Sequence, residues 1–265
     1  MIIIFAKVPK EIIYNKNIDK KRVLVFLFLV FKNSLDNTIS FSLNYLIDWC
    51  KMKPDRHKGK TNDIFYSIIL EYKKLDYLKS FNGNDLYGNN LVTCDANMEK
   101  LFPFGNYGVI SDKEFNLITL YQCSNPRITT SVILLVLSYI RSNILRRTSN
   151  NGNFSEKDIK AKPEFCYRMI EYIEDDIGLH RNTISKCIDI LVELDILVTL
   201  SMPRYKDENG NWHTEATLFA DKYRYDSQSR LVQDYDYEEE LKYGKQYLIE
   251  KKYVSKKFYQ NTEEK

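Results

Sequence analysis

The sequence has few glycines, prolines, cysteines and histidines, and each shortage excludes a class of protein. Nine Gly and six Pro among 265 residues argue against a loop-rich or repeated-turn architecture. The five cysteines are odd in number and include no CxxC pair, so we expect reduced thiols rather than a disulfide framework. The three histidines lie far apart, so no zinc or other metal site is expected.

Long hydrophobic runs are also missing. The apolar runs at residues 23–31 and 128–140 are both shorter than the ~20 residues that cross a bilayer. The start, MIIIFAKVPKE, has no basic segment before its apolar stretch and no small-residue cleavage site, so no signal peptide is expected. We therefore expect a cytoplasmic protein with no membrane partner.

Motifs of catalysis are absent as well. The sequence contains no GxxxxGK[ST] phosphate loop, no GxSxG motif and no HExxH or HxE–PCxxC metal signature. The HxH cluster that rolling-circle initiators use to bind metal is missing too. We therefore expect a protein that is not an enzyme and needs no cofactor.

Apolar and aromatic residues are plentiful. They include 20 Tyr and 14 Phe, and the hydrophobic fraction of 44% is enough for a packed core. The net charge of +3 is mildly basic and does not by itself require a nucleic-acid partner, so the local distribution of charge matters more.

The chain repeats itself in three ordered blocks, which suggests an internal duplication. Within the last block one constant offset aligns Gly59 with Gly178 and Asp76 with Asp195. Identity is low, and chance resemblance between amphipathic helices is the alternative explanation. The matched blocks are residues 10–11 with 113–114, 23–34 with 132–143, and 59–78 with 178–197.

Both halves predict the same order of elements: a short strand, an apolar helix, a second helix, a turn, a third helix and a closing hairpin. Three helices followed by a hairpin predict a winged helix-turn-helix. The predicted helices are residues 21–33, 43–51 and 62–75 in the first half, and 129–147, 164–175 and 181–194 in the second. The predicted hairpins are residues 77–95, and strands 197–202 and 214–220 joined through Asn209-Gly210.

The expected fold class is therefore α+β and helix-rich, with two tandem winged helix-turn-helix units and a polar C-terminal tail. The expected boundaries are residues 1–105 for the first unit, 106–226 for the second and 227–265 for a charged C-terminal helix or tail. The tail combines an acidic block with a basic block, and whether it is exposed or docks on the body or a partner stays open.

The third helix of the second half has the features of a DNA recognition helix. We expect Gly178 to end the preceding helix, His180 to be the N-cap, and Leu179 and Ile184 to form a hydrophobic staple. His is a poorer cap than Ser or Asp, so either the boundary lies one residue away or the ring has another role, such as a phosphate contact. The polar face predicts DNA contacts from His180, Arg181, Asn182, Thr183, Ser185 and Lys186.

A basic loop, KMKPDRHKGKTN, precedes the third helix of the first half. Cations beside the free N–H groups of a helix start make a good phosphate site, although a solvated surface loop is the alternative. Because Asp63 and Glu71 dilute the positive charge, this half is expected to contact the DNA backbone more than the bases. The contacts expected here are Arg56, Lys58, Lys60, Thr61 as N-cap, and Asn62.

Three segments together resemble replication-initiator-type proteins of plasmids, phages and integrative elements in low-GC Gram-positive bacteria. They are FAKVPKEII, IGLHRNTISKCIDILVELDIL and MPRYKDENGNWHTEATLFADKYRYD. The resemblance implies recognition of an origin or operator and recruitment of host replication proteins, with wing contacts from Arg204 and Lys206. His180 at the cap and the acidic helix of the first half depart from the family pattern.

The leading hypothesis is therefore a replication initiator that binds double-stranded DNA. A winged-helix transcriptional regulator uses the same units on an operator, and a protein-interaction scaffold is a third possibility, since fold alone does not separate them. Whether the protein forms a homodimer stays open, as does its target sequence.

Overall fold

The computed structural model describes most of the chain as a mixed α and β structure, rich in helix and with small sheets. The chain divides into two compact units, Met1–Ser142 and Asn143–Lys265. No helix in the described part is long and apolar enough to cross a membrane. The described residues are 5–33, 36–81, 86, 88–103, 107–121, 125–144, 146–147, 155–202, 204–206, 209–213, 216–224, 232, 235–252 and 258–259, with the backbone alone at 156, 205–206, 213, 250–252 and 258–259.

The first unit contains two small antiparallel sheets among its helices. One pairs β1 with β5, and the other has the strand order β2-β4-β3. The elements in chain order are β1 (Phe5–Pro9), α1 (Lys10–Ile13), α2 (Arg22–Lys32), β2 (Thr38–Phe41), α3 (Leu43–Trp49), α4 (Thr61–Lys74), β3 (Leu78–Lys79), β4 (Val92–Ala96), α5 (Met98–Leu101), β5 (Tyr107–Ser111), α6 (Asp112–Leu120) and α7 (Thr130–Ser142).

Two apolar helices, α2 and α7, contribute much of the core of this unit, since nearly all their residues are buried. Arg22 is buried at the start of α2, where its guanidinium donates to the main-chain carbonyls of Ile12 at 2.6 Å and Ile13 at 2.8 Å. Burial lowers the pKa of Arg22. Strand β5 lies close to α7 at Gly108, where an added Cβ would come within 2.3 Å of the Ser138 carbonyl oxygen. Only glycine fits that approach.

The second unit is built around the antiparallel sheet β6-β10-β7. Strands β7 and β10 form a hairpin, and the segment that joins them contributes β8 and β9 to a further sheet of order β11-β8-β9. The elements in chain order are α8 (Glu156–Ala161), β6 (Cys166–Arg168), α9 (Ile170–Ile177), α10 (Arg181–Glu193), β7 (Leu197–Ser201), β8 (Tyr205–Lys206), β9 (Trp212–His213), β10 (Thr217–Asp221), α11 (Tyr237–Lys252) and β11 (Phe258–Tyr259).

Helix α11 is packed into the second unit rather than exposed on all sides. Leu241 and Leu248 are buried in one cluster with Phe165 and Leu218. At Gly244 an added Cβ would lie 2.8 Å from Phe165 Cδ1 and 3.1 Å from Leu218 Cδ2, so the helix backbone lies directly on these side chains. The part of the tail that contains α11 therefore docks on the body, whereas residues 225–231, 233–234, 253–257 and 260–265 lie outside the described residues.

A network of charged side chains, most of them buried, also holds α11. Arg147 Nη1 donates to Glu240 Oε2 at 2.7 Å, and Arg224 Nε lies 2.8 Å from Glu164 Oε2. Burial alone would lower the pKa of Arg147, but the hydrogen bond and charge of Glu240 outweigh it, and the pKa is raised. The network consists of Arg146, Arg147, Arg224, Glu164, Asp221 and Glu240.

Five of the six predicted helices are present. Their starts agree with the predictions to within about one residue, and their ends to within about five. The sixth prediction, a helix over residues 164–175, is wrong at its start because residues 166–168 form β6 and the helix begins at Ile170. Strands β2 and β6 were not predicted, since periodicity does not separate such short apolar segments from helix. Both predicted hairpins are present, as β3–β4 and β7–β10, although residues 82–85, 87 and 214–215 lie outside the described residues.

The compact units divide after Ser142, whereas the repeat had suggested a boundary between residues 105 and 106. The reason is that β5 pairs with β1 along its whole length, from Phe5–Ser111 to Pro9–Tyr107. The segment β5-α6-α7 therefore belongs to the first compact unit, although the repeat assigns it to the second half.

Candidate nucleic-acid interface

Helices α9 and α10 of the second unit pack together and are joined by three residues. Gly178 ends α9 in the left-handed conformation, with φ 69°, and its N–H donates to the Glu174 carbonyl at 2.9 Å. Leu179 and Ile184 are both buried, as the staple prediction requires. The predicted end of α9 and start of α10 are confirmed.

His180 is the N-cap of α10. Its backbone is extended, and its Nδ1 accepts a hydrogen bond from the Asn182 backbone N–H at 3.2 Å. An accepting Nδ1 requires a neutral ring whose proton is on Nε2. The side chain is exposed, so His180 caps the helix and still carries one N–H donor at a helix start, where anions are favoured.

The first two turns of α10 carry the other predicted residues. Arg181, Asn182 and Lys186 are exposed, and Thr183 and Ser185 are partly exposed. The Lys186 amine lies 3.6 Å from the Asp189 carboxylate, and both side chains are 68% exposed. Such an exposed pair is weak and leaves the lysine able to meet another anion.

The predicted wing residues lie in the segment between β7 and β10. Arg204 is exposed, whereas the side chain of Lys206 lies outside the described residues. Gly210 has φ 83° between β8 and β9, which agrees with the hairpin predicted at Asn209-Gly210. Trp212 on β9 is 49% exposed. The sequence pattern did not single out this residue, although it lies two residues after the Asn209-Gly210 turn signal.

Helix α4 of the first unit is the counterpart of α10. At the constant offset of the repeat, Gly59 and Gly178 both have positive φ, at 75° and 69°, and so do Asp76 and Asp195, at 61° and 56°. Each helix therefore begins shortly after one left-handed residue and ends shortly before another, and these residues are equivalent in the repeat. Relative to that offset, α4 starts one residue earlier than α10.

The predicted N-cap of α4 is wrong by one residue. Lys60, not Thr61, is the N-cap of α4, and it makes no side-chain cap hydrogen bond. Instead the Asp63 carboxylate accepts from the Gly59 N–H at 2.8 Å. Asn62 is 6% exposed and donates to Asn44 Oδ1 at 3.1 Å, so it fixes α3 against α4 and is not placed to contact DNA as predicted.

The cations of the first-half loop are exposed: Arg56, Lys58 and Lys60 surround the start of α4. Arg56 lies beside the first hairpin, because an added Cβ on Gly88 would meet its Nη2 at 2.9 Å. Asp55 is tied within the loop, where hydrogen bonds from the His57 backbone and ring lower the pKa of its carboxyl.

The exposed face of α4 differs from that of α10 in charge. At the repeat offset, Asp63 stands where Asn182 is found, and Ser67 stands where Lys186 is found. Asp63 and Glu71 also line a groove of about 440 Å³ together with Asp19, isoleucines of α4 and one cation, Lys58, so that acidic side chains outnumber basic ones in it. A helix face that carries these carboxylates would be repelled by phosphate.

A scan of protein-family models finds no match to this chain, and a search of curated proteins finds no significant similarity. Among the described residues, no group of His, Cys, Asp and Glu side chains could hold a metal ion.

Proposed function

We propose that the protein binds double-stranded DNA through two winged helix-turn-helix units, with base recognition by the second unit. The observation that carries the proposal is the start of α10, where one exposed helix turn presents His180, Arg181 and Asn182. A helix with a polar and basic N-terminal face is what major-groove recognition requires.

The order of elements supports the winged-helix assignment. In the first half it runs α2-β2-α3-α4-β3-β4. In the second half it runs α7-α8-β6-α9-α10-β7-β8-β9-β10, so this half inserts α8 and the two wing strands, and its first helix, α7, belongs to the first compact unit. In each half, the strand that directly precedes the helix pair, β2 before α3-α4 and β6 before α9-α10, pairs with the last strand of the hairpin, which gives the sheet orders β2-β4-β3 and β6-β10-β7. A winged helix-turn-helix combines three helices with a small sheet of this kind.

The charges of α4 and α10 support a division of work between the two units. Arg181 and Lys186 on α10 can meet phosphates or guanine edges, and Asn182 has the amide that pairs with adenine. On α4 the matched positions hold the buried Asn62 and the acidic Asp63. The first unit is therefore assigned to the DNA backbone through Lys58 and Lys60 in its loop.

The biological role that fits best is initiation of replication at an origin, on the basis of the sequence resemblance. A transcriptional regulator is the second candidate, because its DNA contacts would be the same. A test places the coding sequence with its flanking DNA on a plasmid that cannot replicate alone. Autonomous replication supports the initiator, and repression of a neighbouring promoter without replication supports the regulator.

Duplex binding itself is tested by fluorescence anisotropy with a labelled random duplex in a salt series from about 50 to 200 mM. Affinity is expected to fall steeply with salt, as release of counterions from several phosphates requires. The variant Arg181→Ala/Lys186→Ala/Arg204→Ala should reduce the slope of log K against log salt by about three.

The matched control removes the same charge elsewhere, with Lys20→Ala/Lys113→Ala/Lys242→Ala at three exposed positions. This control should leave the slope nearly unchanged. Equal effects of both triple variants would mean that the chain attracts DNA only through its net charge. No duplex binding at low salt would leave the protein-interaction scaffold as the better explanation.

A further inference from the structure

We propose that Trp212 is a sequence-independent duplex contact, placed by the wing against the sugar–phosphate backbone. This inference rests on the proposed function, because it assumes that the second unit binds DNA. Nothing in the sequence resemblance assigned a role to this tryptophan.

The position of Trp212 in the hairpin carries the argument. β9 pairs with β8 so that Trp212 lies opposite Lys206, and Gly210 makes the turn two residues earlier. On its other side β8 pairs with β11, with Phe258 opposite Lys206. β8 is thus the middle strand, and β9 with Trp212 is an outer strand of this small sheet.

The exposure of Trp212 is the second observation. Its side chain is 49% exposed, so about half of its surface is still open to a partner. Large aromatic side chains are mostly buried, and those that are half exposed are enriched where proteins meet partners.

The chemistry around Trp212 favours a duplex as that partner. Exposed Arg204 precedes β8 in the same hairpin, and Lys206 lies opposite Trp212 in the strand register. An indole has an N–H that donates to a phosphate oxygen and an apolar ring that covers a deoxyribose. Because sugars and phosphates are alike at every base pair, this contact should add affinity without adding sequence preference.

A single-tryptophan protein tests the inference directly. Trp49→Phe leaves Trp212 as the only tryptophan, since the sequence contains two. Duplex binding is followed by the anisotropy of a labelled duplex, and the indole emission of the same samples is recorded. We expect the emission of Trp212 to be quenched or shifted to the blue at saturation, with the same midpoint as the anisotropy.

Substitutions then separate this contact from a charge contact. Trp212→Ala should weaken binding to target and random duplexes equally, by about tenfold, because it removes one hydrogen bond to a phosphate and the apolar area that covers a sugar. The slope of log K against log salt should not change, because an uncharged side chain releases no counterions. The comparison variant Lys206→Ala should instead reduce the slope by about one.

Failure of this inference and failure of the proposed function would give different results. If the Trp49→Phe protein binds duplex while its emission stays constant, Trp212 makes no contact and this inference is overturned, whereas the proposed function stands. If Trp212→Ala weakens only the target complex, the residue reads sequence and the assignment to the backbone is wrong. If the native protein binds no duplex, the proposed function and this inference both fall.

Discussion

Asp76 and Asp195 adopt the same left-handed backbone conformation at the ends of α4 and α10, with φ 61° and 56°. Each follows the same hydrogen-bond pattern: the next residue's N–H, of Tyr77 or Ile196, returns to a carbonyl five residues earlier in its helix. Each carboxylate also contacts the residue after the closing strand, Asn97 at 2.8 Å or Lys222 at 3.2 Å. This shared helix end supports an internal duplication more strongly than the low sequence identity does.

The equivalence predicts matched responses to substitution. Alanine in a left-handed conformation costs about 1–2 kcal/mol, whereas glycine adopts it without strain. We expect Asp195→Ala to lower the free energy of unfolding by about 1 kcal/mol and Asp195→Gly to lower it by less than half as much. The same difference should appear between Asp76→Ala and Asp76→Gly in urea denaturation. Asp189→Ala, on an exposed helical position, is the control and should change stability by about 0.5 kcal/mol or less.

Gly244 gives a second stability prediction, for the docking of α11. Alanine in the middle of a helix usually stabilises it by about 1 kcal/mol relative to glycine. Here the new methyl group would lie 2.8 Å from the Phe165 ring, so Gly244→Ala should instead destabilise by about 1–3 kcal/mol.

The double variant Gly244→Ala/Phe165→Leu makes room for the methyl group and should recover part of the loss. Lys242→Ala, at an exposed position of the same helix, serves as the control. A Gly244→Ala protein more stable than the native one in thermal denaturation would mean that α11 does not lie this close to the sheet.

The ends of α10 could be predicted from the sequence because they depend on local chemistry. Gly178 is a strong signal for a helix end. The apolar pair Leu179 and Ile184 indicates the helix start, although His180 is a poorer cap than Ser or Asp. Strand β6 could not be predicted, because its three residues become a strand only by pairing with β10, which lies about fifty residues later in the chain.

The first-half site was predicted less well for a similar reason. Thr61 has a better capping side chain than Lys60, but the conformation of the loop starts α4 one residue earlier and turns Asn62 inward to Asn44. Burial of Asn62 and docking of Glu240 both depend on tertiary contacts, which periodicity and composition do not encode.

His180 allows capping and DNA binding to be tested separately. Loss of the cap in His180→Ala should cost about 0.5 kcal/mol of stability, the lower end of the range for stronger caps, because His is a poorer cap. In His180→Asp a carboxylate replaces the Nδ1 acceptor and suits the positive end of the helix, so stability should be retained. The added negative charge should nevertheless weaken duplex binding, because it would face phosphate. Urea denaturation and duplex anisotropy of the two variants are the measurements, and unchanged duplex affinity in His180→Asp would place the start of α10 away from DNA.

The division of work between α10 and α4 makes the sharpest prediction about recognition. A target duplex is first selected from a random pool with the native protein. Asn182→Ala should then lose about 1–3 kcal/mol of discrimination between the target and random duplexes, if its amide pairs with an adenine. Lys186→Ala should reduce the salt slope by about one for both duplexes.

Ser67 provides the matched control, since it occupies on α4 the position that Lys186 occupies on α10. Ser67→Ala should change neither discrimination nor slope, because the carboxylates of Asp63 and Glu71 on the same face keep α4 out of the groove. Ser67→Lys tests the reason: if charge alone excludes α4, a new lysine there should increase affinity for any duplex. If Ser67→Ala erodes discrimination as strongly as Asn182→Ala, both helices read bases and the carboxylates of α4 must point away from the duplex.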